Sequence, residues 1–290
     1  MAEQKPDMTG KVCIVTGATS GIGEKTACQL AELNAVVVVV GRSPEKCSMV
    51  SEEIKRTTGN TSVSALVADL SSQGEIRRAV DEFKGRFSRL DVLVNGAGAV
   101  FMSRRLSADG IEMTFALNHL GYFLLTNLLL DVLKASAPAR IINLTSAIHS
   151  HASLDFNDLQ KQHGFSGLQA YSQSKLANLL FTFELARRLE GTQVTVNALH
   201  PGFVATGFGQ NNAGFLKPLV SLFRMGGISP EEAARNVIYL ASSPEVEGIT
   251  GSYFAKDRTV TSLLSYEEQT ARLLWDVSVE MTGLGSAAEN

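Results

Sequence analysis

This sequence has no excess of charge of one sign: 26 Lys and Arg stand against 29 Asp and Glu, a formal net charge of −3. That balance excludes the basic footprint of a nucleic-acid binder, and no nucleic-acid partner is expected. Cysteine is scarce. Cys13, Cys28 and Cys47 are the three in 290 residues, too few and too scattered for a disulfide framework or a Cys-type metal site. They read as reduced thiols, and the expected compartment is cytoplasmic. Long apolar runs are missing too. The nearest, 120–133, is broken by Gly121, Thr126, Asn127 and Asp131, short of the roughly 18 apolar residues a membrane span needs, so no transmembrane segment is expected. The polar opening MAEQKPDMTGK holds no apolar leader region. The sequons at Asn60 and Asn143 therefore carry no expected role. There is no internal repeat, low-complexity tract or Pro/Gly/Ser linker, so one domain over 1–290 is expected.

What is present is a steady alternation. Apolar runs near 11–16, 35–40, 62–68, 91–94, 139–145, 192–199 and 250–254 read as strands. Helical periodicity fills 20–33, 43–58, 71–87, 106–136, 170–189 and 229–242, with Pro44, Ser71 and Ser229-Pro230 as helix starts. Val36 to Val40 is an unbroken valine run, the pattern of a strand covered on both faces. The fold class expected is α/β: a single-domain, Rossmann-type doubly wound parallel sheet of about seven strands, with helices on both faces. Two stretches fit poorly, 147–169 and 203–228. The tail from 256 on is expected to end in a helix, Tyr266 to Met281, carrying Leu273, Leu274 and the single tryptophan, Trp275.

Between the first strand and the first helix lies Thr16-Gly17-Ala18-Thr19-Ser20-Gly21-Ile22-Gly23. A glycine turn opening a helix presents unpaired amides and the positive end of the helix dipole to an anion. Gly17, Thr19, Ser20, Gly21, Ile22 and Gly23 are therefore candidate cofactor-binding residues. The spacing Gly-x-x-x-Gly-x-Gly departs from the general dinucleotide fingerprint and matches it by mechanism only.

Tyr171 and Lys175 are four apart on a helical stretch, so they share a face. A cation within hydrogen-bonding range lowers a phenol from about 10 by roughly 1–3 pH units, which makes it a usable acid/base. The alternative is an ordinary i,i+4 pair. Ser146 follows the strand at 141–145, where ligands of an open parallel sheet bind. Its hydroxyl can donate to a carbonyl oxygen that gains charge during hydride attack, or it can simply cap a turn.

Taken together, TGATSGIG, NGAG at 95–98, Asn118, Ser146, Tyr171-Ser172-Gln173-Ser174-Lys175 and Pro201-Gly202 resemble the short-chain dehydrogenase/reductase family over residues 10 to about 255. YSQSKLANLLFTFELARRL, FALNHLGYFLLT, the long Ser146-to-Tyr171 interval and the closing LLWDVSVEMTGL resemble its retinol-dehydrogenase-like branch. The resemblance implies a dinucleotide-binding half at 10–145, a catalytic and substrate half at 146–255, and a C-terminal tail at 256–290. It implies catalytic roles for Asn118, Ser146, Tyr171 and Lys175. Tyr171 would exchange the proton, Lys175 would also bond the nicotinamide ribose, Ser146 would polarise the carbonyl, and Asn118 would hold a water linking Lys175 to solvent. Asn118 bonded to backbone at a helix bend is the competing reading. Asp69, Leu70, Asn95, Gly96 and Ala97 would line the adenosine half, with Asp69 equally suited to cap the next helix. Pro201, Gly202, Val204 and Thr206 would border the nicotinamide. Gly96 stands where the family usually has a second asparagine.

Cofactor choice follows from charge. After the second strand the chain reads Gly41-Arg42-Ser43, with no acid before Glu45. A carboxylate there would repel the extra phosphate of NADP, whereas the Arg42 fork and the Ser43 hydroxyl suit it. NADP(H) is expected over NAD(H). No metal is expected, since His149, His151 and His163 lack a completing ligand set. Residues 203–228 hold Phe203, Phe208, Phe215 and Phe223 and no acid. They are a candidate lid over a small lipophilic carbonyl or alcohol substrate, a peripheral membrane contact, or a core or subunit-contact helix. Leu179, Leu180 and Phe183 could pair subunits into a homodimer or homotetramer, or belong to the core. The expected activity is NADP(H)-dependent interconversion of a lipophilic aldehyde or ketone and its alcohol. The alternatives are a protochlorophyllide-reductase-like enzyme and a non-catalytic NADP-binding regulator or scaffold.

Overall fold

The valine run at Val36 to Val40 shows how the molecule is layered. In the computed structural model, which describes residues 6–202, 227–255, 258–259 and 268–285, Val38 and Val40 enter one apolar cluster, whereas Val37 and Val39 enter another. Successive side chains of a strand point to opposite faces, so a strand with no polar alternation must be covered twice. The strands are β1 (Val12–Thr16), β2 (Val36–Gly41), β3 (Val63–Val67), β4 (Val92–Asn95), β5 (Ala139–Leu144), β6 (Val194–His200), β7 (Ser252–Ala255) and the two-residue β8 (Arg258–Thr259). They form one sheet in the order β3-β2-β1-β4-β5-β6-β7-β8. The first seven run parallel, and β8 is an antiparallel edge on β7. The expected seven strands are therefore present, and the eighth is too short to leave a periodic signal.

One face of the sheet is covered by α1 (Gly21–Glu32), α2 (Pro44–Thr58) and α6 (Pro230–Ser242), whose Ala27, Leu30, Ile54, Val237 and Leu240 meet Cys13, Val15, Val37 and Val39. The other face carries α3 (Gln73–Arg86), α4 (Met113–Ala135) and α5 (Gly167–Arg188). Ile76, Phe83, Phe123, Leu129, Phe181 and Leu185 from these helices pack on Ile14, Val38, Leu93 and Ile141. The last described helix, α7 (Glu268–Thr282), lays Leu274 and Trp275 inward. Leu273, by contrast, is exposed. Trp275 lies edge-on to Phe123 at 4.9 Å, with the Arg188 guanidinium 4.1 Å from its ring centroid.

Helix α4 begins later than the periodicity of 106–136 suggests. Asp109-Gly110 forms a turn in which Gly110 has φ +75° and Ser107 N donates to Ile111 O at 2.7 Å. The buried Glu112 carboxylate then caps the helix, accepting from Thr114 N and Phe115 N at 2.8 Å each. Helix α4 is long and apolar enough to cross a membrane, but 67% of its apolar window is buried in the fold. It is the central core helix of its layer. Leu179 and Leu180 of α5 are buried within this one chain, and Phe183 packs beside Leu179, Ala198 and Tyr253.

Candidate active site

Three glycines shape the turn between β1 and α1, each for a different reason. Gly17 has φ +68°, and a Cβ there would meet the Ala97 backbone at 2.8 Å. Gly21 opens the helix with φ +59°. At Gly23 a Cβ would strike the Gly17 carbonyl at 2.5 Å, so only glycine lets the helix seat against the turn. Ser20 holds the N-cap position with an extended backbone and makes no side-chain cap bond. The first amides of α1 are left without a capping side chain at the carboxyl end of the sheet, which is the arrangement an anion needs.

Thr16, which the sequence reading passed over, ties this turn to the next strand. Its Oγ1 donates to Val94 O at 3.1 Å and accepts from Gly96 N at 2.8 Å and Ala97 N at 3.2 Å. A Cβ on Gly96 would meet Thr16 O at 2.9 Å. The Asn95 side chain points into the core instead of the crevice. Its Nδ2 donates to Thr126 Oγ1 and Asn143 Oδ1 at 2.9 and 2.8 Å, and Asn143 Nδ2 continues to Thr182 Oγ1 at 3.0 Å. Only the Asn95 backbone can border a cofactor. Asp69 Oδ1 accepts from Ser71 N at 2.9 Å and Ser71 Oγ at 2.7 Å, so one oxygen serves the turn into α3. Leu70 is buried, and its carbonyl lies 2.5 Å from where a Gly121 Cβ would be.

After β2, Arg42 is exposed and makes no ion pair among the described residues. Ser43 caps α2, accepting from Lys46 N at 3.3 Å and donating to Glu45 Oε2 at 2.7 Å. The cation at this corner is free to meet a phosphate, whereas the hydroxyl is already engaged.

Across the crevice, α5 begins one turn before Tyr171. Its first residue, Gly167, lies so near Phe101 that a Cβ would be 2.3 Å from that carbonyl. The helix lays Tyr171 and Lys175 side by side, both buried. Ser146 follows β5, and its side chain is hydrogen-bonded to the Tyr171 hydroxyl. The Ser146 carbonyl accepts from both His149 N at 3.1 Å and His149 Nδ1 at 2.6 Å. His149 packs edge-on against Tyr253 at 5.0 Å. Burial lowers the His149 pKa, and it pushes His200 down to about 4 with help from His149. Among the described residues no group of three or more His, Cys, Asp or Glu is arranged to hold a metal.

The charge balance of the pair differs from the expectation. Burial raises the Tyr171 phenol above its ordinary value, while the Ser146 hydrogen bond pulls it back. Burial also lowers Lys175 to about 8. The Lys175 Nζ donates to Leu144 O at 3.0 Å and sits over two phenol rings, 5.6 Å from the Tyr122 centroid and 5.7 Å from that of Tyr171. It faces the tyrosine ring, and burial is the largest cause of both shifts. Tyr122 is fully buried and its hydroxyl has no hydrogen-bond partner among the described residues; sequence reasoning did not find it.

Asn118 lies in a π turn, Ala116–Leu120, where Gly121 N bonds Ala116 O. Its Oδ1 accepts from Ala99 N at 2.9 Å, and its Nδ2 donates to Ala99 O and Ser174 Oγ at 3.0 Å each. The side chain thus joins the Ala99 backbone to Ser174 of α5. A Cβ on Gly98 would come within 3.2 Å of Asn118 Oδ1 and 3.5 Å of Lys175 Nζ. The glycine keeps the approach to the ammonium open. Pro201 is buried, with its carbonyl accepting from Asn236 Nδ2 at 3.3 Å. Gly202 has φ +103°. Val204, Thr206 and nearly all of the lid segment 203–228 lie outside the described residues.

Comparison with known proteins agrees with this geometry. A family model described as short chain dehydrogenase matches residues 11–214. Human retinol dehydrogenase 14 is 43% identical over 295 residues, covering 96% of this chain and 88% of that protein. Human polyprenol dehydrogenase is 40% identical, covering 96% and 87%. Among solved structures, an uncharacterized protein from Mycobacterium paratuberculosis superimposes with a TM-score of 0.77 at 30% identity, covering 96% of this chain and 95% of its own. The Pseudomonas aeruginosa RhlG/NADP active-site complex gives 0.69 at 28% identity, covering 86% and 95%.

Proposed function

The chain belongs to the short-chain dehydrogenase family and is an oxidoreductase of the retinol-dehydrogenase type acting on CH–OH and carbonyl groups; from that premise we propose that it uses NADP(H) to reduce a bulky lipophilic aldehyde or ketone to its alcohol. The observation that carries this reading is the bonded Ser146–Tyr171 pair beside Lys175, at the carboxyl ends of the central strands. The glycine turn and the uncapped start of α1 fit the pyrophosphate of a dinucleotide, and Gly98 leaves room beside Lys175. When bound, the nicotinamide supplies the hydride. Ser146 and Tyr171 then have the protonic work. Ser146 holds the carbonyl oxygen, and Tyr171 gives its proton to that oxygen as charge develops there. A phenol raised by burial is fully protonated at neutral pH, the state a donor needs. Lys175 has N–H groups beyond the one spent on Leu144 O for the ribose hydroxyls. Arg42, exposed and without an acidic partner in an ion pair among the described residues, supports the preference for the 2′-phosphate. The names of the relatives, retinol and polyprenol dehydrogenases, support a long apolar substrate.

The test is an NADPH-oxidation screen against retinoid, steroid, fatty-aldehyde and quinone carbonyls, repeated with NADH. We expect turnover with a lipophilic aldehyde or ketone and at least about tenfold higher kcat/KM with NADPH, the equivalent of one charge-assisted bond. Preference for NADH, or turnover confined to small polar carbonyls, would contradict the reading.

A further inference from the structure

Asn178 lies on α5 one turn beyond Lys175 and is fully buried. Its Nδ2 donates to Asn118 O at 2.9 Å and lies 3.5 Å from Leu144 O. The first carbonyl belongs to the π turn. The second is the one that receives the Lys175 ammonium at 3.0 Å. Asn178 Oδ1 is 3.4 Å from His119 Nδ1, and the other ring nitrogen of His119 is 2.9 Å from Ser278 Oγ on α7. One amide thus touches α4 and the end of β5 from the helix that carries Tyr171 and Lys175. Asn118 extends the link, clamping the Ala99 backbone and Ser174 Oγ. A lysine side chain has long, flexible reach, so the place of its ammonium is set by its acceptor. Here the acceptor is Leu144 O, and the surrounding frame is held by Asn178.

We infer that Asn178 is a positioning residue for Lys175: its side-chain amide fixes the π turn of α4 against α5 and the end of β5, and so fixes where the ammonium sits beside Tyr171. The inference rests on the reading of Lys175 as the lysine of the reaction. Asn178 touches neither substrate nor cofactor in this role. Its loss should therefore act on the chemical step and leave ground-state binding in place, since a displacement of about 1 Å at a reacting group costs up to 10²-fold in rate.

The test uses the purified full chain with NADPH and the best carbonyl of the screen. Asn178→Asp keeps the shape and removes both N–H groups. Asn178→Ser is the second variant, and Lys175→Met the reference. For Asn178→Asp and Asn178→Ser we expect kcat to fall about 10–100-fold, with KM for the carbonyl and the NADPH dissociation constant within about threefold of wild type. A folded Asn178 variant with wild-type kcat and only a lower Tm overturns the inference, as does a loss confined to KM. A dead Lys175→Met beside an unimpaired Asn178→Asp overturns this inference alone. Full turnover by Lys175→Met overturns the catalytic reading and the inference with it.

Discussion

Two buried charges lie at opposite ends of the central strands, and the protein treats them differently. At the amino end, Asp91 is 3% exposed and saturated. Arg89 binds it through two bonds of 2.8 and 2.6 Å, Lys11 Nζ adds one of 3.0 Å, and Val12 N another of 2.9 Å. Burial pushes this carboxyl upward, yet the Arg89, Val12 and Lys11 bonds hold it below its ordinary value. At the carboxyl end, Lys175 is 5% exposed, with Leu144 O as its one hydrogen-bond partner among the described residues and no carboxylate in an ion pair. Burial brings it down to about 8. The first charge is compensated and contributes to folding. The second is under-compensated, which destabilises the protein by itself but leaves donors available to a ligand.

The largest effect that could break this contrast is at Asp91. Asp91→Ala should cost about 2–4 kcal/mol in denaturant unfolding, because a buried, multiply bonded carboxylate is removed and Val12 N loses its acceptor. Per folded molecule, turnover should stay unchanged. A stability loss below about 0.5 kcal/mol, the scale of an ordinary surface change, would show that the cluster is only a surface ion pair.

Next in size is Lys175→Met. It should abolish turnover yet raise the stability of the cofactor-free protein at pH 7 by about 2 kcal/mol, because a lysine brought from 10.5 to about 8 carries a penalty when protonated. The sign fixes the pH window. Below about 8 the folded ammonium is charged and the penalty is complete; between about 8 and 10.5 it fades, and the gain of the variant fades with it. Guanidinium melts at pH 7 and pH 10 measure the difference. Equal gains at both values would assign the effect to packing. The same reasoning gives Asp91 the opposite window: its contribution persists above the ordinary carboxyl value of 3.8 and is lost as pH falls through the depressed folded value.

The layered sheet and the glycine turn were legible because local signals carry them. Val36 to Val40 declares a two-sided strand, and Gly17, Gly21 and Gly23 each meet a local backbone demand. Tyr171 and Lys175 were legible from their i,i+4 spacing. What the spacing could not show was solvation: with Leu144 O as its acceptor and two rings beneath it, Lys175 does not lower the phenol as expected. Asn118, Asn178 and Thr16 owe their roles to distant partners such as Ser174, Leu144 and Gly96, and no periodicity encodes those pairings. The start of α4 was placed too early because a buried Glu112 cap follows a turn of apolar and polar residues that imitates helical periodicity.

The central claim is that the Tyr171 hydroxyl, bonded to Ser146 and set beside Lys175, hands the proton to the substrate oxygen. Single-turnover reduction of the best carbonyl by NADPH-loaded Tyr171→Phe tests it most directly. A fall of about 10³-fold in the chemical step, with NADPH binding retained, is the predicted result. Turnover at the wild-type rate would contradict the account.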